Sequence, residues 1–263
     1  MDYGYQLLRH VVQQVFGNLR QAAQLTLLLF VVPFIGFITL GFGWFGTGMT
    51  DAPGGGTILG GLLLVVVAIT AYCWAAVGWH RYVLLEETGN GLLPAWRGDR
   101  ISAYFGRAFV VGLVVVLAVM GGTIVVGLVA AITQSGAVAI ALGVGLVFGA
   151  SWVATRIGLV LPAAAVGERM TIGESWAVTR PVASHILLPL IVVALVVGVI
   201  QQLILVIFGE VVTAEVFGTV QDQMVLSLGG QIVNAGLSWL QVLVNLALMT
   251  TLYGNLVEGR QLN

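Results

Sequence analysis

Residues 108–155 read AFVVGLVVVLAVMGGTIVVGLVAAITQSGAVAIALGVGLVFGASWVAT, without one charged side chain. A helix needs about 20 apolar residues to cross the hydrocarbon core of a membrane. The segment therefore holds two spans, at 108–132 and 137–155, joined by the polar turn Thr133-Gln134-Ser135-Gly136. It predicts a transmembrane hairpin.

The composition extends this prediction to the whole chain of 263 residues, of which 59% are apolar and 8% are charged. Soluble domains carry about 25% charged residues. Four further apolar segments are long enough to span a membrane: 22–45, 57–79, 185–208 and 231–253. We therefore expect an all-α integral membrane protein, a bundle of six transmembrane helices forming a single polytopic domain over residues 1–263.

The charges are sorted by side. All ten basic residues are arginines, and with six spans they all fall on one side, while the opposite connections contain only acids: Asp51, Glu210, Glu215 and Asp222. Basic residues are retained on the cytoplasmic side during insertion. The pattern predicts a multi-pass protein of the bacterial inner (cytoplasmic) membrane with both termini in the cytoplasm. We expect no removable signal peptide, because no cationic start with a short apolar run and cleavage site is present.

Composition also excludes several kinds of site. A net charge of −1 argues against a nucleic-acid partner. The absence of lysine excludes lysine-based catalysis, and the single cysteine, Cys73, excludes an internal disulfide and a multi-cysteine metal site.

The N-terminal segment, residues 3–20, predicts an amphipathic helix at the inner membrane surface. Apolar side chains recur at intervals of three and four, and polar residues occupy the other faces. The alternative is an extension of the first span that packs on its neighbours. The apolar residues are Tyr5, Leu8, Val12, Val15 and Leu19.

The two longer cytoplasmic loops share a pattern: each has an arginine where the chain leaves the membrane and a Trp-x-x-x-Arg pair where it returns. Thr171 and Glu174 have the spacing of a helix-capping box. With the N-terminal helix, this suggests three units, each a surface helix followed by a transmembrane hairpin. Trp and Arg suit the lipid headgroup region. The candidate headgroup residues are Arg81, Trp96, Arg100, Arg156, Trp176 and Arg180.

After the fourth span, Arg156-Ile157-Gly158-Leu159-Val160-Leu161-Pro162 joins an exit arginine to a Leu-Pro-rich stretch. With a surface helix before each hairpin, this resembles a group of bacterial six-span inner-membrane families, which includes the membrane domain fused to glycerophosphoryl diester phosphodiesterases. In these families a similar stretch leads to an acid, here Glu168, and then to a Ser-Trp-like pair, here Ser175-Trp176. The resemblance implies a fold and an inner-membrane location. It transfers no catalytic residues.

Polar residues inside a membrane are the first place to look for function. Six of them share one face of the sixth span and its approach, at intervals of three and four, and two glutamines on the fifth span are expected to face them. They form either a polar path for a solute or lipid headgroup, or a set of hydrogen bonds between helices. The residues are Ser227, Gln231, Asn234, Ser238, Gln241, Asn245, Gln201 and Gln202.

Arg156 has alternative interpretations. We expect Arg156 near the cytoplasmic interface, since the short turn at 133–136 fixes the register of the fourth span, whereas a displaced helix would bury it at mid-depth. An intramembrane lipid enzyme would need Arg156 together with His80, Glu86 or Glu168 around one pocket.

No catalytic motif, metal site or cofactor site is recognised in the sequence. The sequence therefore predicts a non-enzymatic accessory, scaffolding or assembly component. Its expected partners are membrane lipids, and a larger membrane protein complex or further copies of itself. The alternative is a transporter or channel for a small solute or lipid, using the polar face of the sixth span.

Overall fold

In the computed structural model, six helices of the described residues are long and apolar enough to cross a membrane. The structure describes residues 2–46, 54–89, 91–216 and 219–262, without the side chains of 41–46 and 214–221. The chain is a multi-pass membrane protein, and the prediction of an all-α transmembrane bundle is confirmed. The long helices are α2 (Leu19–Gly46), α3 (Gly55–Leu85), α4 (Gly98–Thr133), α5 (Gly136–Ile157), α8 (Leu187–Phe208) and α9 (Leu228–Leu256).

The observed helices are longer than the predicted spans at one end. α3 continues to Leu85, α4 begins at Gly98 instead of 108, and α9 continues to Leu256. Ile101 and Tyr104, in the added part of α4, are buried. These extensions hold the helices together beyond their apolar segments, which hydropathy alone does not reveal. We call this end of the bundle, where Arg81, Arg97 and Arg107 lie, the arginine end, and the other the hairpin end.

The buried core lies in the arginine-end half of the bundle. Most of its members come from residues 71–84 of α3, 101–111 of α4, 155–165 of the α5–α6 region and 243–254 of α9. By contrast, residues 54–70 and 112–154 include no buried side chain. In their hairpin-end halves, α3, α4 and α5 therefore leave most of their apolar surface uncovered by the rest of the described chain.

The short helix α6 (Val160–Val166) lies at the centre of this core. It contacts α3, α4 and α9, and its Ala163-Ala164-Ala165 run allows their backbones to approach closely. Pro162 falls in its first turn, where the missing N–H is tolerated. The apolar stretch after the fourth span is thus a buried helix.

The end of α6 is fixed by Gly167, which has φ +97°. Its N–H bonds to Ala164 O, and the N–H of Glu168 bonds to Ala163 O at 2.8 Å, the pattern of a Schellman cap. A Cβ on Gly167 would lie 2.5 Å from the guanidinium of Arg100. Only glycine suits this position.

The N-terminal helix α1 (Tyr3–Gly17) is separate from α2 and packs on the bundle. Its buried residues are Gly4, Leu7, Val11 and Val15. Of the predicted apolar face, only Val15 belongs to this buried set, while Tyr5 and Val12 are exposed together with Phe16. α1 therefore has two apolar faces: one packs on the bundle, and the other is uncovered. Contact of this uncovered face with the membrane surface stays a prediction.

The surface-helix pattern is only partly repeated. Thr171 and Glu174 form the predicted capping box at the start of α7 (Ile172–Val178), which is followed by a 3-10 turn at Arg180–Val182. Before α4, however, the described residues contain no separate helix, because α4 itself begins at Gly98. In this second unit the residues from Gly98 onward and the span form one continuous helix.

The connection between α8 and α9 forms a β-hairpin, which the sequence analysis treated as an acidic loop. Strands β1 (Gly209–Val216) and β2 (Thr219–Leu226) pair antiparallel. The β-branched residues of both segments favour strands, and Thr213 donates a hydrogen bond to Asp222 across the pair at 2.7 Å. These two strands of eight residues were not predicted, because the long apolar spans on either side dominate the hydropathy of the region.

The first prediction concerns the end of α6. Replacing Gly167 by alanine forces a residue with a Cβ into the left-handed region and against Arg100, so we expect the free energy of unfolding in detergent to fall by about 1–3 kcal/mol. Gly112→Ala is the control, since nothing lies within 4 Å of a Cβ at that helical position. Equal stability of the two variants would contradict the described end of α6.

Candidate functional site

The polar face of α9 is present as a continuous strip, and its members differ in whether the chain satisfies them. Ser227 caps the helix by accepting a hydrogen bond from Gly230 N at 3.3 Å. Gln231 donates to Leu226 O at 3.1 Å, and Ser238 donates to Asn234 O at 2.8 Å. These three side chains complete local structure.

The remaining amides of the predicted set are different. Gln201, Gln202 and Asn245 are exposed, and Asn234 and Gln241 are half-buried. No side chain of these five forms a hydrogen bond with the described part of the chain. An unsatisfied polar group in hydrocarbon costs several kcal/mol. We call these five residues the unpaired amides.

Two of the unpaired amides, Gln241 and Asn245, line a cavity of about 330 Å³ between α5, α8 and α9. Tyr72 and Tyr104 contribute to the same cavity from α3 and α4. Its other hydroxyls, Ser151 and Thr155, donate to carbonyls of their own helix. Apart from the two tyrosines, the amides are therefore the polar side chains of this lining that are available to an occupant.

The glutamines of α8 lie elsewhere. Gln202 lines a shallow groove on the outer surface of α8, with Leu195, Val199 and Val206. Neither Gln201 nor Gln202 belongs to the described lining of the cavity at Gln241. The structure thus presents the two sets of amides as separate parts of the membrane-spanning surface.

The loop between α3 and α4 is held by an ion-pair network centred on Glu87. Arg81 Nε donates to Glu87 Oε2 at 2.8 Å, and Arg97 binds Glu87 Oε1 through two nitrogens at 2.9 and 3.1 Å. Burial alone raises the pKa of Glu87, but the hydrogen bonds and charges of Arg81 and Arg97 outweigh it and hold the pKa below its ordinary value. Arg81 is therefore a structural residue, and its NH1 also donates to Ala165 O of α6 at 3.0 Å.

Arg156 lies in the last turn of α5, at the arginine end, and its interfacial depth stays a prediction. It is only 4% exposed, and no ion pair joins it to an acidic side chain of the described residues. The guanidinium carbon lies 3.5 Å from the ring centroid of Trp176 and 4.9 Å from that of Trp152. Nε donates to Thr179 Oγ1 at 3.2 Å and an NH2 proton goes to Trp176 O at 2.7 Å. Its contacts describe a buried, stacked cation that fixes α7, with little surface left for a lipid phosphate.

The two Trp-x-x-x-Arg segments pack in the same way. Trp96 meets Trp74 of α3 edge-on at 4.8 Å, and Trp176 meets Trp152 of α5 edge-on at 5.7 Å. Trp74 and Trp152 each donate the indole N–H to a carbonyl of the following loop. This shared geometry supports a structural relation between the second and third predicted units.

The arginines of these segments remain at the surface. Arg100 pairs with Asp99 at 3.1 Å, and Arg180 is exposed in the 3-10 turn. Trp96 is 59% exposed. These three side chains keep the accessibility that a role at the headgroups requires.

A polar cavity of about 410 Å³, which the sequence did not predict, lies at the arginine end between α1, α9 and the C-terminal segment. Thr251 donates to Gln14 at 3.1 Å, and Tyr3 donates to Asn255 at 2.8 Å. The polar residues of α1 and of the last turns of α9 were the available signal. The lining includes His10, Gln13, Gln14, Asn18, Thr250, Thr251, Asn255 and Arg260.

His80 is fully buried beside this cavity and is not gathered with Glu86 or Glu168 around one described pocket. Its Nδ1 lies 2.8 Å from Thr250 Oγ1, whose own proton goes to Leu246 O at 2.6 Å. Nε2 is left without a partner among the described atoms. Within the described part of the chain, no group of three or more His, Cys, Asp or Glu is arranged to hold a metal ion.

No protein-family model, curated protein or solved structure matches this chain.

The second prediction concerns Glu87. Its pKa is lower in the folded than in the unfolded state, so the unfolded chain binds the proton first as the pH falls. We expect the free energy of unfolding to be highest above the ordinary glutamate pKa of about 4.3 and to decrease as the pH falls below it. Glu87→Gln should be less stable near neutral pH and should show a weaker loss on acidification. Identical pH profiles of the two proteins would contradict the network.

Proposed function

We propose that this protein is a non-enzymatic accessory component of a larger membrane complex, in which a helix of another membrane protein covers the unpaired amides. The observation that carries the proposal is that five amides on membrane-spanning helices lack a hydrogen-bond partner in the described chain. Polar side chains on transmembrane helices commonly bond across helix interfaces. A partner helix with Ser, Thr, Asn or Gln at matching positions satisfies these groups.

The accessory role explains why the amides are not paired with one another. Amides that form hydrogen bonds between the helices of this bundle would lie buried between those helices. Gln201, Gln202 and Asn245 are instead exposed. A hydrogen bond between transmembrane helices contributes about 0.6 kcal/mol on average. Several such bonds together give a specific contact without a charged group.

The proposed location is the bacterial inner membrane, with both termini in the cytoplasm. All ten arginines fall in the segments that meet at one end of the bundle, and the connections at the other end carry only acidic charges. This asymmetry is the one that the positive-inside rule associates with cytoplasmic loops. The resemblance to bacterial six-span inner-membrane families agrees with it.

A second candidate function is a transporter or carrier for a small solute or lipid. The observation that favours it is the cavity of about 330 Å³ at Gln241 and Asn245, which combines amide groups with apolar walls. Ligand sites are often apolar pockets of at least about 300 Å³ with a few polar groups. In this case the amides bind the cargo and not a partner helix.

Purification in a mild detergent or in native nanodiscs, followed by mass determination, tests the first function. We expect a complex that contains a second membrane protein in fixed stoichiometry. A lone monomer or homo-oligomer with a bound solute would contradict the accessory role and would favour the carrier.

The third prediction uses the amides directly. The double variant Gln241→Leu/Asn245→Leu removes two unsatisfied groups, so we expect the isolated protein to unfold at the same or higher detergent concentration while co-purification of the partner is lost. Ser238→Ala is the matched control on the same face, because the Ser238 hydroxyl is bonded to its own helix. Retention of the partner by the double variant would show that these two amides do not form the contact.

A further inference from the structure

A second intramembrane space, which we call the aromatic cleft, lies between α2, α3, α4 and α9 and has a volume of about 550 Å³. Its walls are apolar except for one threonine, one cysteine, a tyrosine hydroxyl and an indole N–H. Neither the candidate site nor the proposed function uses this space. Its aromatic lining consists of Phe30, Phe34, Phe37, Tyr72, Phe105, Phe109 and Trp239.

The wall on the α2–α9 side is held in a fixed shape. Trp239 Nε1 donates to Thr26 Oγ1 at 2.9 Å, and Thr26 donates in turn to Ala22 O at 2.7 Å. These bonds use the polar atoms of Thr26 and the indole N–H. Pro33, within α2, also lines the cleft.

The cleft opens sideways toward the bilayer. Phe37 is 47% exposed, Phe105 46% and Phe109 62%, and all three lie on membrane-spanning helices. The mouth is therefore continuous with the lipid-facing surface of the bundle. Bilayer hydrocarbon reaches it without crossing the protein.

Such a space favours hydrocarbon over water. A water molecule needs two to four polar partners, which this lining does not supply, and an empty void forfeits dispersion contacts. The cleft is also too small for a partner helix, because a helix about 10 Å across occupies on the order of 400 Å³ per turn and a membrane-spanning helix has about five or six turns. A flexible chain of the bilayer fits both the chemistry and the size.

We propose that the aromatic cleft is a binding site for one acyl chain of a bilayer phospholipid, retained as a stoichiometric part of the protein. The chain enters between Phe37 and Phe109 and packs along Trp239. This site does not depend on the partner helix of the proposed function, since the unpaired amides do not line it.

The test combines lipid retention with fluorescence quenching. Ala108→Phe places a ring from α4 into the cleft, whereas Ala118→Phe adds the same ring at an exposed position of the same helix. Each purified protein is reconstituted in nanodiscs of phosphatidylcholine with brominated acyl chains. Quenching of Trp239 is taken as the difference between each protein and its Trp239→Phe version, and retained lipids are counted by native mass spectrometry.

We expect one retained phospholipid and strong quenching of Trp239 in the wild type and in Ala118→Phe, with retention about tenfold weaker and Trp239 protected in Ala108→Phe. Equal retention and quenching in the two variants would overturn the site. A wild type that retains no phospholipid, or that retains a different class of molecule in the cleft, would also overturn it. Ala68→Phe, which approaches the cleft from α3, repeats the test should Ala108→Phe fail to fold.

Discussion

The rest of the bundle depends on the hydrogen bonds that arginine side chains donate to the backbone carbonyls of α6 and of the loop that follows it. Arg81 donates to Ala165 O, and one nitrogen of Arg107 donates to Val160 O and Glu168 O. Cations near the C-terminus of a helix are favoured by its dipole. These bonds join α3 and α4 to α6, and because α6 also packs on α9, helices from all three hairpins meet at this end. The opposite halves of α3, α4 and α5 are then free to leave apolar surface uncovered.

The sequence was sufficient for the six spans and for the separation of arginines from the opposite connections, because both follow from apolar length and charge. It also predicted the capping box at Thr171 and the position of Arg156 at the arginine end of the fourth span. The burial of α6 was not predictable, because a short apolar helix has the same hydropathy whether it lies on the membrane or inside the bundle. The β-hairpin at 209–226 was not predicted either, because its two strands are short and lie between two long apolar spans that dominate the hydropathy of this region.

The candidate site shows a similar division. The polar strip of α9 was visible as a periodicity, since intervals of three and four define a helical face whatever surrounds it. Whether Gln241 and Asn245 are bonded depends on where α5 and α8 lie, and that follows from packing between distant segments. The contrast with Ser238, which bonds its own helix, needed the structure. So did the cavity at Thr250 and Asn255, which forms only when α1 folds back onto α9.

Site-specific photo-crosslinking in native membranes tests the central claim that another membrane protein covers the unpaired amides. A photoreactive residue is introduced at Asn234 or Gln201, and the control position is Leu128, which is 60% exposed on α4. The account predicts a discrete protein adduct from the amide positions and lipid adducts alone from Leu128. Lipid adducts alone at all three positions, or the same protein adduct at Leu128, would contradict it.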